Sequence, residues 1–155
     1  MKKWFKRSKC WSILPVYTLD GYLHTIIFRG RITAAIFEHW LEYYLLPCMN
    51  RWPGDRDILI MDNCKIHKNQ RVLDLCIARG VIVEFLPPYS PNFNPTEGSF
   101  HDLMAYIRRR WKWLIQGHTQ FEEFPYEAVQ TVGRGPKARE NARGHFSHAG
   151  YRNFE

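Results

Sequence analysis

The chain has 155 residues, 45% hydrophobic and 15% aromatic, which excludes a disordered chain and suffices for one domain with its own core. Its formal charge is +7 and its pI near 9.4, a balance that suits a polyanion partner without requiring one. No apolar run is long enough to span a membrane. Cys10, Cys48, Cys64 and Cys76 form no Cys-x-x-Cys pair, and Cys64 with His67 lacks a second ligand pair, which argues against zinc and for reduced thiols.

Residues 1–10 read as a basic tail, with Lys2, Lys3, Lys6, Arg7 and Lys9. The apolar stretch after it is short and broken by Pro15, so a signal peptide is rejected. Ser12 to Thr18 and Tyr22 to Phe28 are β-rich, and Asp20-Gly21 between them signals a hairpin. Asp20 is a turn residue first and a metal ligand a distant second. Thr33 suits a helix cap, followed by an apolar stripe of Ile36, Phe37, Trp40, Leu41, Tyr44 and Leu45 that ends near Pro47. Glu38 and Glu42 fall on the solvent side of that helix.

The organising stretch runs from Asp57 to Glu97. Ile58 to Met61 is a continuous apolar run, which predicts a strand buried on both faces and ending on Asp62-Asn63. Asn69 caps a helix with an apolar face of Val72, Leu73, Cys76 and Ile77, and Gly80 sits where a left-handed C-cap belongs. Val81 to Leu86 is the next strand. Strand, helix, strand in this length is a right-handed parallel crossover, and such sheets bind ligands at the carboxyl ends of their strands. Asp62 and Glu97 are therefore expected at one edge. Between them Pro87, Pro88, Pro91 and Pro95 stiffen the loop. Asn94-Pro95-Thr96-Glu97 reads as a helix start, so Glu97 either closes a capping box or serves a site. Asp62 likewise either helps a turn with Asn63 or binds metal.

Asp62-Asn63 with His67, then Leu86-Pro87-Pro88-Tyr89-Ser90-Pro91 and Asn94-Pro95-Thr96-Glu97, resemble the catalytic domain of mariner-type DDE transposases. The thirty-four residues between Asp62 and Glu97 match the spacing of one branch of that superfamily. Segments Trp11–Pro15, Thr18–Tyr22 and Gly144–Tyr151 resemble flanking parts of fungal members. Asn92 and Thr96 depart from the family pattern, which has aspartate and isoleucine there. The resemblance implies an α/β, ribonuclease H-like mixed sheet flanked by helices, and DNA strand cleavage and transfer with Mg²⁺ or Mn²⁺. It makes Asp62 and Glu97 the catalytic metal ligands, with Asn63, His67 and Asn94 shaping the site. A structural histidine at the helix entry is an equal reading of His67. DNA is the implied partner and the nucleus the implied location, with room for a homo-oligomer in a full-length transposase.

The helix after Glu97 runs to about Ile115, with Phe100, Leu103, Met104, Ile107, Trp111 and Leu114 on its core face. Arg108, Arg109, Arg110 and Lys112 near its end suit both the helix dipole and a phosphate-binding ridge. Residues 117–155 form a C-terminal extension, in which Gly133 to Lys137 is a linker to a final short helix rather than a DNA hook.

The family's first catalytic aspartate ends a central strand, and this chain has no acidic residue before Asp20. The expectation is a single, N-terminally truncated domain that lacks that strand and cleaves little or no DNA. Two further readings stay open. One is a nucleic-acid-binding remnant without catalysis. The other is an unrelated receiver-like α/β module, which would have no use for the proline loop.

Overall fold

The structure is a computed structural model that describes residues 11–115 and 123–152, and the side chains of 111–115 lie outside the description. The basic tail of residues 1–10 falls outside it as well. Strands β1 (Trp11–Thr18) and β2 (Gly21–Arg29) form an antiparallel hairpin. Thr18 pairs with Gly21, so the turn is Leu19-Asp20 and not Asp20-Gly21. Gly21 absorbs the positive φ of 107° that a side chain disfavours.

A register shift between Leu14 and Val16 explains how the hairpin serves two cores. Two steps along β1 match three along β2, because Leu14 pairs with Ile26 and Val16 with Leu23. The extra residue flips the phase of β2. Leu23 and Ile26 therefore share one face with Leu14 and Val16, and Tyr22 and Ile27 share the other with Ile13 and Tyr17.

The first core lies under α1 (Ala34–Trp40), capped by Thr33, whose Oγ1 accepts from Ile36 N at 3.3 Å. The chain continues as a π-helical turn (Leu41–Leu45) and a 3-10 turn (Leu46–Cys48). Phe37, Trp40, Leu41, Leu45 and Leu46 are buried there, together with Met61, Val72, Cys76 and Val81. The π turn shifts the helical phase, and Tyr44 points outward at 54% exposure instead of joining the stripe. Glu38 and Glu42 are not simply solvated: Arg71 reaches them at 3.9 and 3.1 Å.

Strand β3 (Ile58–Met61) pairs in parallel with β4 (Ile82–Phe85), joined by α2 (Gln70–Arg79). Asn69 Oδ1 accepts from Val72 N at 2.9 Å, and Gly80 closes the helix at φ 70°. The sequence expectation of a strand buried on both faces is corrected here. Leu59 and Met61 face the first core, but Ile58 and Ile60 are 43% and 39% exposed. No helix covers that face of the pair among the described residues. Ile77, at 73% exposed, likewise leaves the face shared by Val72 and Cys76.

The second core sits on the opposite face of the hairpin, under α3 (Pro95–Ile115), α4 (Phe124–Arg134) and α5 (Ala138–His148). Tyr22, Leu103, Ala128 and Val129 are its buried centre. Met104 is 44% exposed and drops out of the predicted stripe, while the side chains of Trp111 and Leu114 lie outside the described ones. Gly133 and Arg134 are the last turn of α4 and not linker. Gly133 lies against the Tyr22 ring, and Arg134 Nε donates to Tyr22 O at 3.3 Å.

The strands thus form two separate two-stranded sheets in a mixed α/β chain flanked by helices. Both sheets pack on the first core, yet no ladder joins them among the described residues. No helix among the described residues is long and apolar enough to cross a membrane.

Candidate functional site

Because β3 and β4 run parallel and in register, the chain leaves both at one edge. Leu86 N donates to Met61 O at 2.8 Å, so the residues just before Asp62 and just before the proline loop are bonded neighbours. The loop Pro87–Asn94 contains the 3-10 turn Pro91–Phe93 and leads into α3. There Asn94 Oδ1 accepts from Thr96 N at 3.0 Å, and Pro95 is the first helical residue. This is the cap that the sequence predicts.

Glu97 does not complete a capping box. Its exposed carboxylate makes no hydrogen bond or ion pair among the described residues, and Asn94 N bonds Pro91 O instead. Asp62 is exposed but engaged. Its Oδ1 accepts from Cys64 N at 3.2 Å and lies 2.6 Å from His67 Nδ1. His67 in turn stacks on Phe37, with ring centroids 4.6 Å apart. Its ring therefore ties the Asp62 turn to the first core. Asn63 follows Asp62 half-buried.

The donor chemistry suits a hard divalent cation, since Asp62 Oδ2 and both Glu97 oxygens have no partner among the described residues and oxygen is what Mg²⁺ and Mn²⁺ prefer. The number of donors is the shortfall. No group of three or more His, Cys, Asp or Glu side chains comes together as a metal cage among the described residues. Asp20, the remote third candidate, pairs with Arg139 at 3.2 Å on the far turn of the hairpin.

The predicted basic ridge divides. Arg110 stacks over Tyr106 at 5.3 Å and approaches Glu127 at 3.9 Å, and Tyr106 OH donates to the same Glu127 at 3.0 Å. Arg110 is thereby committed to holding α4 against α3. Arg109 Nε bonds back to Ala105 O at 3.3 Å. Arg108 is exposed and has no ion-pair partner among the described residues. Lys112 lies in α3 with its side chain outside the described ones. Separately, an open groove of about 540 Å³ runs between β2, α1 and α4, lined by Ile26, Ile36, His39, Trp40, Tyr44 and Tyr126, and contains neither carboxylate.

Sequence reasoning missed a linked set that joins β1, α3 and α5. Asp102 Oδ2 lies 3.2 Å from His145 Nε2, and His145 Nδ1 lies 2.6 Å from Tyr17 OH. Desolvation pushes the Tyr17 hydroxyl above its ordinary value, with Tyr22 and Asp102 adding to the rise. Its three members lie far apart in sequence, and only the resemblance at Gly144–Tyr151 touched one of them.

Among solved structures the chain is similar to the Mos1 transposase catalytic domain with raltegravir and Mn, at 15% identity and TM-score 0.48, covering 96% of this chain and 82% of that one. It is similar to the Mos1 transposase paired-end complex with the left transposon end, at 18% identity and TM-score 0.47, covering 100% and 48%. It is also similar to the catalytic domain of Mos1 mariner transposase, at 15% identity and TM-score 0.45, covering 94% and 82%. Likenesses at that distance do not bear on residue roles. No curated protein matches the chain. The family model for DDE superfamily endonuclease, however, matches residues 3–116, the span that holds the hairpin, the parallel pair, the proline loop and all of α3. The chain therefore belongs to the DDE superfamily endonucleases.

Proposed function

We propose that this is a mariner-type transposase domain that engages DNA phosphodiesters, with Asp62 and Glu97 as ligands for Mg²⁺ or Mn²⁺. What supports the reading is the shared edge: a parallel register delivers Asp62 and the loop leading to Glu97 to the same side, and the Glu97 carboxylate has no partner among the described residues. Asp62 and Glu97 would hold the metal, which would supply polarisation of the phosphate and activation of the attacking oxygen. The residues of this chain do the holding. His67 and Cys64 N fix one oxygen of Asp62, and the Asn94 cap fixes the turn that bears Glu97.

Two carboxylates under-coordinate a metal pair. The chain on its own is therefore expected to bind metal and DNA while cutting little DNA. A non-catalytic, nucleic-acid-binding role is the second reading, and the exposed Arg108 and Arg109 favour it. A nuclear location and a homo-oligomer on transposon ends belong to the same proposal.

The test is Mn²⁺ binding followed by electron paramagnetic resonance, with DNA binding and Mg²⁺-dependent nicking measured in parallel. Asp62→Asn and Glu97→Gln should each abolish or sharply weaken Mn²⁺ binding and leave DNA affinity without Mn²⁺ nearly unchanged. Mn²⁺ binding that neither substitution alters would refute the metal site. Strong, salt-resistant nicking by the 155-residue chain would refute the non-catalytic expectation.

A further inference from the structure

Glu97 has no side-chain partner among the described residues, but the turn that carries it is held from several sides. Beyond the Asn94 cap, Ser99 is buried at 2% exposure, donates to Thr96 O at 2.7 Å and accepts from Tyr22 OH at 3.0 Å. On another side stands α5. A Cβ built on Gly98 would meet His145 Cδ2 at 2.5 Å and Cγ at 2.9 Å, so the imidazole fills the space that a side chain there would need. The same ring reaches Asp102 on α3 at 3.2 Å and Tyr17 on β1 at 2.6 Å. Just beyond α5, Tyr151 OH donates to Phe93 O at 3.1 Å, within the proline loop, and its ring packs on Phe146 with centroids 5.7 Å apart.

We propose that α5 is a clamp on α3, and that His145 is a positioning residue that fixes the turn bearing Glu97 through its contacts with Gly98, Asp102 and Tyr17. The proposal rests on reading Glu97 as a metal ligand, and it extends the site to residues beyond the 3–116 family match. The two distances allow an arrangement in which Tyr17 OH donates to Nδ1 and the Nε2 proton of His145 is given to Asp102. Both ring nitrogens are then satisfied by two different elements, and the ring is held against Gly98. A free carboxylate on a fixed backbone is what ligand preorganisation requires, and partners one layer out from a metal ligand commonly alter affinity by about 10–100-fold.

The experiment combines amide hydrogen exchange over Ser99–Leu103 with Mn²⁺ titration of the whole chain. It uses His145→Ala, Gly98→Ala, the double variant, the milder His145→Gln and Tyr17→Phe, and Glu97→Gln as the metal-site control. His145→Ala should speed exchange in that segment by about tenfold, the scale of losing one or two hydrogen bonds, and weaken Mn²⁺ binding by about tenfold. Gly98→Ala should do the same, because its methyl displaces the ring, yet add nothing further in the His145→Ala background. His145→Gln, which keeps a donor for Asp102, should recover part of both readouts, and Tyr17→Phe should shift His145 ¹⁵N resonances.

Unchanged exchange in His145→Ala overturns the clamp, as do additive effects of the two alanine variants. Faster exchange with unaltered, Glu97-dependent Mn²⁺ affinity overturns the positioning of Glu97. If Glu97→Gln leaves Mn²⁺ binding intact, the metal reading of Glu97 and the positioning role fall together, and the exchange data alone decide whether the clamp exists. Should His145→Ala fail to fold, His145→Gln and Tyr17→Phe carry the same two readouts.

Discussion

His67 Nδ1 lies 2.6 Å from Asp62 Oδ1, and the same oxygen accepts from Cys64 N, so one carboxylate oxygen is tied and the other has no partner among the described residues. His67 also stacks on Phe37 at 4.6 Å, which separates its two roles by chemistry. His67→Phe should keep the stacking and stability but lose the hydrogen bond, lowering Mn²⁺ affinity by about tenfold. His67→Ala should lose both, with an added stability cost of about 0.5–1.5 kcal/mol for the stack. Thermal melts and Mn²⁺ titrations check the pair. Equal affinity in His67→Phe and wild type would remove His67 from the site.

The cysteines should label at very different rates. Cys76 is fully buried, and burial pushes its thiol from 9.0 up to about 11, whereas Cys64 is exposed beside Asp62. At pH 8 iodoacetamide should modify Cys64 in the folded chain and spare Cys76, because the thiolate is the nucleophile. Peptide mass mapping gives the answer, and early modification of Cys76 would contradict its burial.

Alkaline stability follows the same groups. A thiol whose folded pKa is raised favours the protonated state in the native chain. Its contribution is fully present below about pH 9 and is lost as pH rises toward about 11. Tyr17, Tyr22 and Tyr151 are raised from 10.0, chiefly by burial, and act in the same direction at higher pH. Urea midpoints should hold steady up to about pH 9 and then fall, and Cys76→Ala should flatten the first part of that fall. A midpoint that rises between pH 9 and 11 would reverse the sign.

Local backbone features give graded stability losses. Asn69→Ala removes the acceptor for Val72 N and should cost about 1 kcal/mol. Gly80→Ala meets φ 70° and a Cβ position 2.6 Å from Arg51 Cγ, and should cost about 1–2 kcal/mol. Gly133→Ala should cost more than either, since its methyl would occupy the Tyr22 ring position and disrupt the second core. Chemical denaturation ranks the three. A neutral Gly133→Ala would show that α4 can shift freely on β2.

The arginines should split in DNA binding. Arg108 has no ion-pair partner among the described residues, so Arg108→Ala should reduce the slope of log affinity against log salt by about 0.9. Arg110 is held by Tyr106 and Glu127, so Arg110→Ala should lower the melting temperature more than it changes that slope. Titrations at several salt concentrations read both, and equal slopes for wild type and Arg108→Ala would exclude Arg108 from the contact.

Local signals were legible wherever the chemistry was local. Thr33, Asn69 and Asn94 each cap the helix that follows, Gly80 takes the left-handed conformation, and the parallel pairing of β3 with β4 follows from strand, helix, strand spacing. The caps depend on contacts within a few residues, which the order of amino acids specifies directly, and the pairing depends on the length of the crossover. So did the edge shared by Asp62 and the proline loop, because a parallel crossover leaves no other place for it.

Tertiary structure alone decided the rest. Ile58, Ile60, Ile77 and Met104 carry the periodicity of buried residues, yet they are exposed because no element among the described residues covers them, which no periodic pattern can encode. Glu38 and Glu42 meet Arg71 across two helices, and the β2 bulge sends Tyr22 to the second core. The contact of His145 with Tyr17, Asp102 and Gly98 joins the ends of the chain, so its partners are set by how the helices pack on the hairpin. The sequence determined which residues cap, turn and alternate. The packing of two cores on opposite faces of one hairpin decided which side chains meet.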